Sequence, residues 1–350
     1  MDDSLSHKIK HSYPFPIAVY YKKFSKEERL VKKGQKNYEP LFVSMIDLFE
    51  MTTRYLSIVS LSSYVKNGMQ LESLNQRISD LLTKKLSLGH WFEIFRETTR
   101  VYNDKPEDMF IPELVPFLFE RKTIQLFDQL ITLRNKKKGH SFRLSPLEYK
   151  ELYEEYIGHL ITILERLQFL SNYTMISPIE IEQDGYLIKV FNDFMGDSIN
   201  EKDQELQIST KTNEEEILLL KKNGIGQYDS LLLSPLTYYD YIEDRWEEYL
   251  FLHEENKINK HELKKLEYVG INTTAKTHKI SINENEESRL MWFELFQQVL
   301  DKIAIGDGEN DIPMFEHAGY SIGVNFMGQY PVNVNVTSIQ EALDLLEVRC

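Results

Sequence analysis

Two stretches of this sequence hold reactive side chains at spacings that suit chemistry. The first runs Ile305-Gly306-Asp307-Gly308-Glu309-Asn310-Asp311-Ile312-Pro313-Met314. An apolar run ends there, and the glycines let the backbone turn tightly against a closely approaching group. Asp307 and Asp311 stand four apart, across the turn that opens the next helix. Two carboxylates at the end of a strand suit a hard divalent ion such as Mg2+. The helix N-terminus adds partial positive charge that suits phosphate, which makes Gly306, Gly308 and Asn310 the candidate phosphate-binding turn. The plain alternative is a strand-to-helix turn with an aspartate cap.

The second stretch is Arg134-Asn135-Lys136-Lys137-Lys138-Gly139-His140, followed by Arg143. It forms a local cationic patch that suits the phosphates of a nucleic acid. His140 can transfer a proton near neutral pH, and Arg134 can stabilise a crowded phosphorane, so these two are the catalytic candidates. Asn135, Lys136, Lys137, Lys138 and Arg143 are the candidate nucleic-acid contacts. The alternative is structural. Basic residues are favoured at a helix C-terminus by its dipole, and His140 then serves only the turn.

Composition bounds both readings. Lys and Arg number 41 against 55 Asp and Glu, a net charge of −14, so an all-over basic coat for nucleic acid is excluded. The single cysteine, Cys350, excludes a disulfide scaffold and a cysteine-based zinc site, and fits a reducing, cytoplasmic setting. The start, MDDSLSHKIKHSYPFP, lacks the basic and apolar blocks of a signal peptide. No apolar run reaches the roughly 18 residues of a membrane span.

The elements that must position these residues fall into three parts after a lead-in over residues 1–38. Residues 39–176 carry four helical patterns, at about Pro40–Lys66, Leu71–Tyr102, from Pro112, and from Pro146 to about Leu170. Asn67-Gly68 ends the first, and Ser145-Pro146 opens the fourth. Short polar turns between long helices predict an antiparallel four-helix bundle. Residues 177–280 hold short apolar runs, Tyr186–Phe191, Ile217–Leu220, Leu231–Leu233, Tyr249–Leu252 and Leu266–Val269, and predict a small β-rich domain. Residues 281–350 alternate helix and strand, with strands at Lys302–Ile305, Ser321–Val324 and Val332–Val336, and predict parallel βα units. Such folds bind ligands beyond the C-terminal ends of their strands, which is where Asp307 falls. The fold class is therefore multidomain α+β.

Less chemistry is expected elsewhere. Trp246 sits among Tyr238, Tyr239, Tyr241 and Tyr249, but Asp240, Glu243, Asp244, Glu247 and Glu248 would repel a phosphate backbone, so packing is the better reading. His90-Trp91 reads as core. His253-Glu254-Glu255 reads as a solvated charged run, because adjacent positions point in different directions.

The run GDGENDIPMFEHAGYSIGV, residues 306–324, closely resembles the fourth motif of the haloacid dehalogenase (HAD) superfamily of phosphohydrolases. The resemblance covers roughly residues 286–348 and implies the second half of a Rossmann-like sheet, with Asp307 and Asp311 holding Mg2+. The family's nucleophile stretch, DxDx[TV] on the first strand, has no counterpart here. Asn192-Asp193-Phe194-Met195-Gly196-Asp197 has the wrong spacing, and Lys279 and Arg289 are imperfect matches for the family's lysine. Arg134 to His140 in a helical bundle resembles the R-x4–6-H motif of HEPN domains, some of which are metal-independent RNases that pair two copies. Together these resemblances imply a modular signalling or defence-type protein whose bundle, as a homodimer, binds or cleaves RNA. The first alternative is a Mg2+-dependent HAD-type phosphohydrolase whose nucleophile is unseen or supplied by a partner chain. The second is a non-enzymatic interaction scaffold.

Overall fold

The computed structural model describes residues 3–82, 86–139, 144–182, 185–214, 216–224, 226–242, 246–252, 266–272, 276–279, 303–307, 312, 320–327, 332, 334–338 and 340–341. The chain mixes α-helices and β-strands. It divides into two units: residues 1–68, 86–252 and 268–277 form the first, and residues 69–85, 253–267 and 278–350 the second. No helix among the described residues is long and apolar enough to cross a membrane.

The expected lead-in is replaced by two helices, α1 (Asp3–Ser12) and α2 (Phe15–Lys32). Pro16 is the reason. In the first turn of α2 its missing N–H costs no hydrogen bond, so it starts a helix rather than breaking one. Of the four expected long helices, α3 (Glu39–Lys66) is whole. The pattern over 71–102 is two helices, α4 (Glu72–Leu82), which lies in the second unit, and α5 (Leu88–Arg100). Ser87 starts α5: its Oγ accepts from His90 N–H, and its own N–H donates to His90 Nδ1, each at 3.2 Å. This is a capping box with histidine where Glu or Gln is usual. The third pattern also breaks, into α6 (Leu114–Phe119) and α7 (Arg121–Gly139), because Glu120 between them is extended. The fourth, α8 (Pro146–Arg166), starts at the expected Ser145 cap and passes into a 3-10 stretch, Leu167–Asn172.

The helix α3 is the axis of the first unit's helical part, packed by α2, α5, α7 and α8. Its apolar residues, from Leu41 through Val65, are buried around much of its circumference. Small hydroxyl residues between them return their hydrogens to the helix itself: Thr52 Oγ1 to Leu48 O at 2.7 Å, and Thr53 Oγ1 to Phe49 O at 2.9 Å. These two hydroxyls are thereby satisfied without water. Ser57 Oγ lies 2.7 Å from both Thr53 O and Trp91 O, and Thr98 Oγ1 donates to Ser60 Oγ at 2.9 Å.

Five strands of the same unit close a barrel: β1 (Thr174–Glu182), β2 (Leu187–Asp193), β3 (Asn200–Ile208), β4 (Leu218–Lys222) and β5 (Gln227–Leu232), in the order β1-β2-β3-β5-β4. Only β3 and β5 run parallel. Ile176, Ile188, Phe191, Leu206, Ile208, Leu218, Leu220 and Leu232 fill its interior. Burial of each such side chain contributes about 2 kcal/mol. The acidic β3 sequence Asn200–Glu205 is exposed and only Leu206 and Ile208 turn inward, which is why it carries no apolar run. The junction of α1 and α2 is stitched to the turn after β2. Gly196 N–H donates to Tyr13 O at 2.7 Å, and Asp197 N–H to Lys10 O at 2.8 Å. Gly196 has φ +86°, and a Cβ there would lie 2.7 Å from Lys10 O, so glycine is required.

A second sheet follows in the order β6 (Thr237–Ile242), β7 (Trp246–Leu252), β8 (Leu266–Gly270), β9 (Lys276–Lys279). The aromatic residues here pack on one another. Phe194 meets Tyr239 at 5.0 Å and Tyr249 at 5.7 Å, and Tyr238 meets Tyr268 at 5.4 Å. His253-Glu254-Glu255 and the side chain of Trp246 lie outside what the structure describes.

The second unit holds a three-stranded parallel sheet, β10 (Ile303–Gly306), β11 (Tyr320–Val324) and β12 (Val334–Val336), in sequential order. The helical stretches expected to alternate with these strands fall almost wholly outside the described residues.

Candidate functional site

The parallel register sets one edge of this sheet as a site. Ile303 pairs with Tyr320 and Gly306 with Gly323; Val324 pairs with Val336. All three strands therefore end on the same edge, and the residue leaving β10 there is Asp307, which is exposed. The β10–β11 ladder fixes the backbone up to Gly306, the residue before it. Gly308, Asn310 and Asp311 lie outside the described residues; of the following turn, Ile312 is described, and it is helical.

The turns beside Asp307 are tightly built. After β11 the chain reverses through Asn325, at φ 51°, a region that asparagine tolerates better than most residues. Asn325 N–H donates to Val336 O at 2.7 Å and its Nδ2 to Thr337 O at 2.8 Å. Asn335 clamps the same turn with both ends of its amide: Oδ1 accepts from Phe326 N–H at 3.0 Å, and Nδ2 donates to Phe326 O at 2.7 Å. Gly323 leaves room for this clamp. A Cβ there would meet Phe326 Cβ at 2.6 Å and Asn335 Oδ1 at 2.9 Å. After β12, Thr337 N–H and Oγ1 both donate to Glu341 Oε2 at 2.9 Å, and Glu341 N–H donates to Ser338 Oγ at 3.2 Å. The segment that follows β12 is thus capped as a helix start.

The other candidate is differently placed. Arg134 lies in α7 and is buried, 6 % exposed. Its Nε is bound to a carboxylate oxygen of Glu50 on α3, and its Nη1 lies 3.5 Å from Asn135 Oδ1. One turn along α3 from Glu50, the Arg54 guanidinium is 5.7 Å from the ring centres of both Trp91 and Phe251. Nearby Tyr20 has its hydroxyl pushed above the ordinary tyrosine value by burial, with Arg54 pulling the other way. The guanidinium of Arg134 is thus held by packing and an internal carboxylate, and Asn135 is exposed beside it. Lys136, Lys137 and Lys138 continue the α7 backbone, and His140 and Arg143 lie outside the described residues.

The sequence reading missed Glu50, the partner of Arg134. The available signal was an acid set between Leu48-Phe49 and Met51, three residues after Asp47, in a mostly apolar stretch. It also missed Asn325 and Asn335, whose roles depend on a contact across ten residues that no local pattern announces.

Comparison with known proteins reaches only the C-terminal part of the chain. No curated protein and no solved structure matches the chain. The family model described as haloacid dehalogenase-like hydrolase matches residues 298–327, which take in β10, Asp307 and β11.

Proposed function

We propose that the C-terminal segment is the metal-holding part of a HAD-type phosphohydrolase site whose aspartate nucleophile comes from another polypeptide. The observation that carries this reading is the exposed Asp307 carboxylate at the C-terminal end of a parallel strand, inside the stretch matched by the hydrolase model. Carboxylate oxygens are hard donors, so Asp307 and Asp311 suit Mg2+. Once bound, the ion would neutralise phosphate oxygens. Asp307 itself serves by position: the ladder holds Gly306, the residue before it, so its carboxylate enters the site from the end of a paired strand. With two carboxylates, about four of six octahedral positions stay with water, which makes binding weak. A site lacking the DxDx[TV] stretch has no carboxylate of that pattern to receive the phosphoryl group.

For the helical part, the pairing of Arg134 with Glu50 supports an interaction module over a nuclease, because the guanidinium assigned to phosphate is already bound to a carboxylate.

The test is Mg2+ titration and p-nitrophenyl phosphate hydrolysis with the whole chain and Asp307→Asn. The expected result is weak Mg2+ binding that the variant loses, with no turnover by either protein. Mg2+ binding unchanged by the substitution would sink the proposal. Mg2+-dependent turnover lost in the variant would replace the shared site with a complete enzyme.

A further inference from the structure

We propose that His7 and His11 form a two-point chelating site on α1 for a divalent transition-metal ion such as Ni2+ or Cu2+. The two residues stand one turn apart on one helix face, and both are exposed. Their ring centroids are 4.4 Å apart with the planes tilted by 49°. Among the described residues neither imidazole has a hydrogen-bond partner; the contact between the rings is their interaction. The buried side of α1 is formed by Leu5 and Ile9, so the pair is free of the core.

At this separation exposed rings can turn one nitrogen each onto a shared ion. Imidazole suits Cu2+ and Ni2+, which stand high in the divalent affinity order. Like charge is drawn aside. Lys8 Nζ lies 3.3 Å from Gln168 Oε1, and Lys10 Nζ stands over the Tyr21 ring at 5.7 Å. Asp3, one turn earlier on the same helix face, favours a cation. No third His, Cys, Asp or Glu among the described residues is gathered with the pair, so water completes the coordination.

The position has a consequence for the fold. The last turn of α1 carries the carbonyl of Lys10, which receives Asp197 N–H from the turn after β2. An ion bridging His7 and His11 ties that turn to the one before it and stiffens the attachment.

The experiment is calorimetric titration of the whole chain with Ni2+, using the wild type, His7→Ala, His11→Ala, the double variant and His253→Ala, with amide exchange of α1 followed in parallel. One Ni2+ is expected to bind the wild type at this site. Each single variant should lose at least tenfold in affinity, and the double variant little more, because a chelate fails when either arm is removed. His253→Ala should bind as the wild type does. Ni2+ should slow exchange in α1 only where both histidines are present. Wild-type affinity in either single variant, or exchange in α1 indifferent to Ni2+, would overturn the proposal.

Discussion

Arg134 and Asp307 are both full charges in stretches that suit phosphate chemistry, yet the fold treats them oppositely. Arg134 faces inward from α7 and is tied to Glu50, with α3 supplying the counter-charge. Asp307 leaves the end of β10 and faces water. The difference follows from the elements. A helix side chain at a packed face must be neutralised internally, since a buried charge without a partner is costly. The first residue beyond β10 stands at the end of its strand and is exposed, so water can solvate its charge. Charge type and spacing therefore mark a candidate, and the element that carries it decides whether the charge is presented.

The largest expected effect is that of pH on the first unit. Among the described residues ten tyrosines have pKa values raised by burial, and these ten belong to the first unit. A raised folded value means stability that is fully present below the unfolded value of 10.0 and lost as pH rises beyond it. Lys23 and Lys66 act in the opposite sense, because burial lowers their values from 10.5, so stability rises as their protons leave. They are two against ten, and their effect is complete once the unfolded lysines have titrated. Tyr55, Tyr249 and Tyr268, three of the fully buried ones, together contribute a loss of about 4 kcal/mol per pH unit above 10. Urea unfolding followed by tyrosine and tryptophan signals between pH 8 and 12 should show a flat midpoint, then a steep fall. A midpoint that holds to pH 12 would mean that these hydroxyls reach water.

The next effect tests the packed charge itself. Arg134→Ala leaves Glu50 beside an apolar helix face and should cost about 2 to 3 kcal/mol, less than a wholly buried pair because Glu50 keeps an exposed edge. Glu50→Ala should cost a similar amount, and the double variant clearly less than the two together. Chemical denaturation of the four proteins reads this directly. A loss under about 0.5 kcal/mol for Arg134→Ala would show the pair to be dispensable, and would return the guanidinium to the list of candidate phosphate ligands.

The legible and illegible parts of the molecule divide along the same physical line. The apolar runs Leu218–Leu220 and Leu231–Leu232 announce β4 and β5 because the barrel buries them. The period of α3 is visible for the same reason. Strand β3 was invisible because six of its residues face water and only its last residues reach the core. The break at Ser87 was invisible because its reciprocal partner is His90, a residue that reads as core rather than as a cap. At the strand-end site, the glycines and Asp307 could be read from local spacing. The Asn335 clamp could not, since its geometry exists only once β11 and β12 are paired.

The smallest expected effect concerns Asp307, and it is the sharpest test of presented against packed charge. Substitutions at exposed positions change stability little, so Asp307→Asn without metal should change it by no more than about 0.5 kcal/mol. The ladder beneath it, Gly306 to Gly323, and the Asn335 clamp remain in place whichever side chain stands at 307. Magnesium should separate the two proteins. At ten times its dissociation constant, an ion bound only to the folded state adds about 1.4 kcal/mol. The wild type should gain that amount and the variant nothing. The measurement must follow the second unit, and amide exchange across residues 303–324 does so. If Asp307→Asn costs 2 kcal/mol or more without Mg2+, the carboxylate is a structural partner like Arg134, and the contrast between the two regions fails.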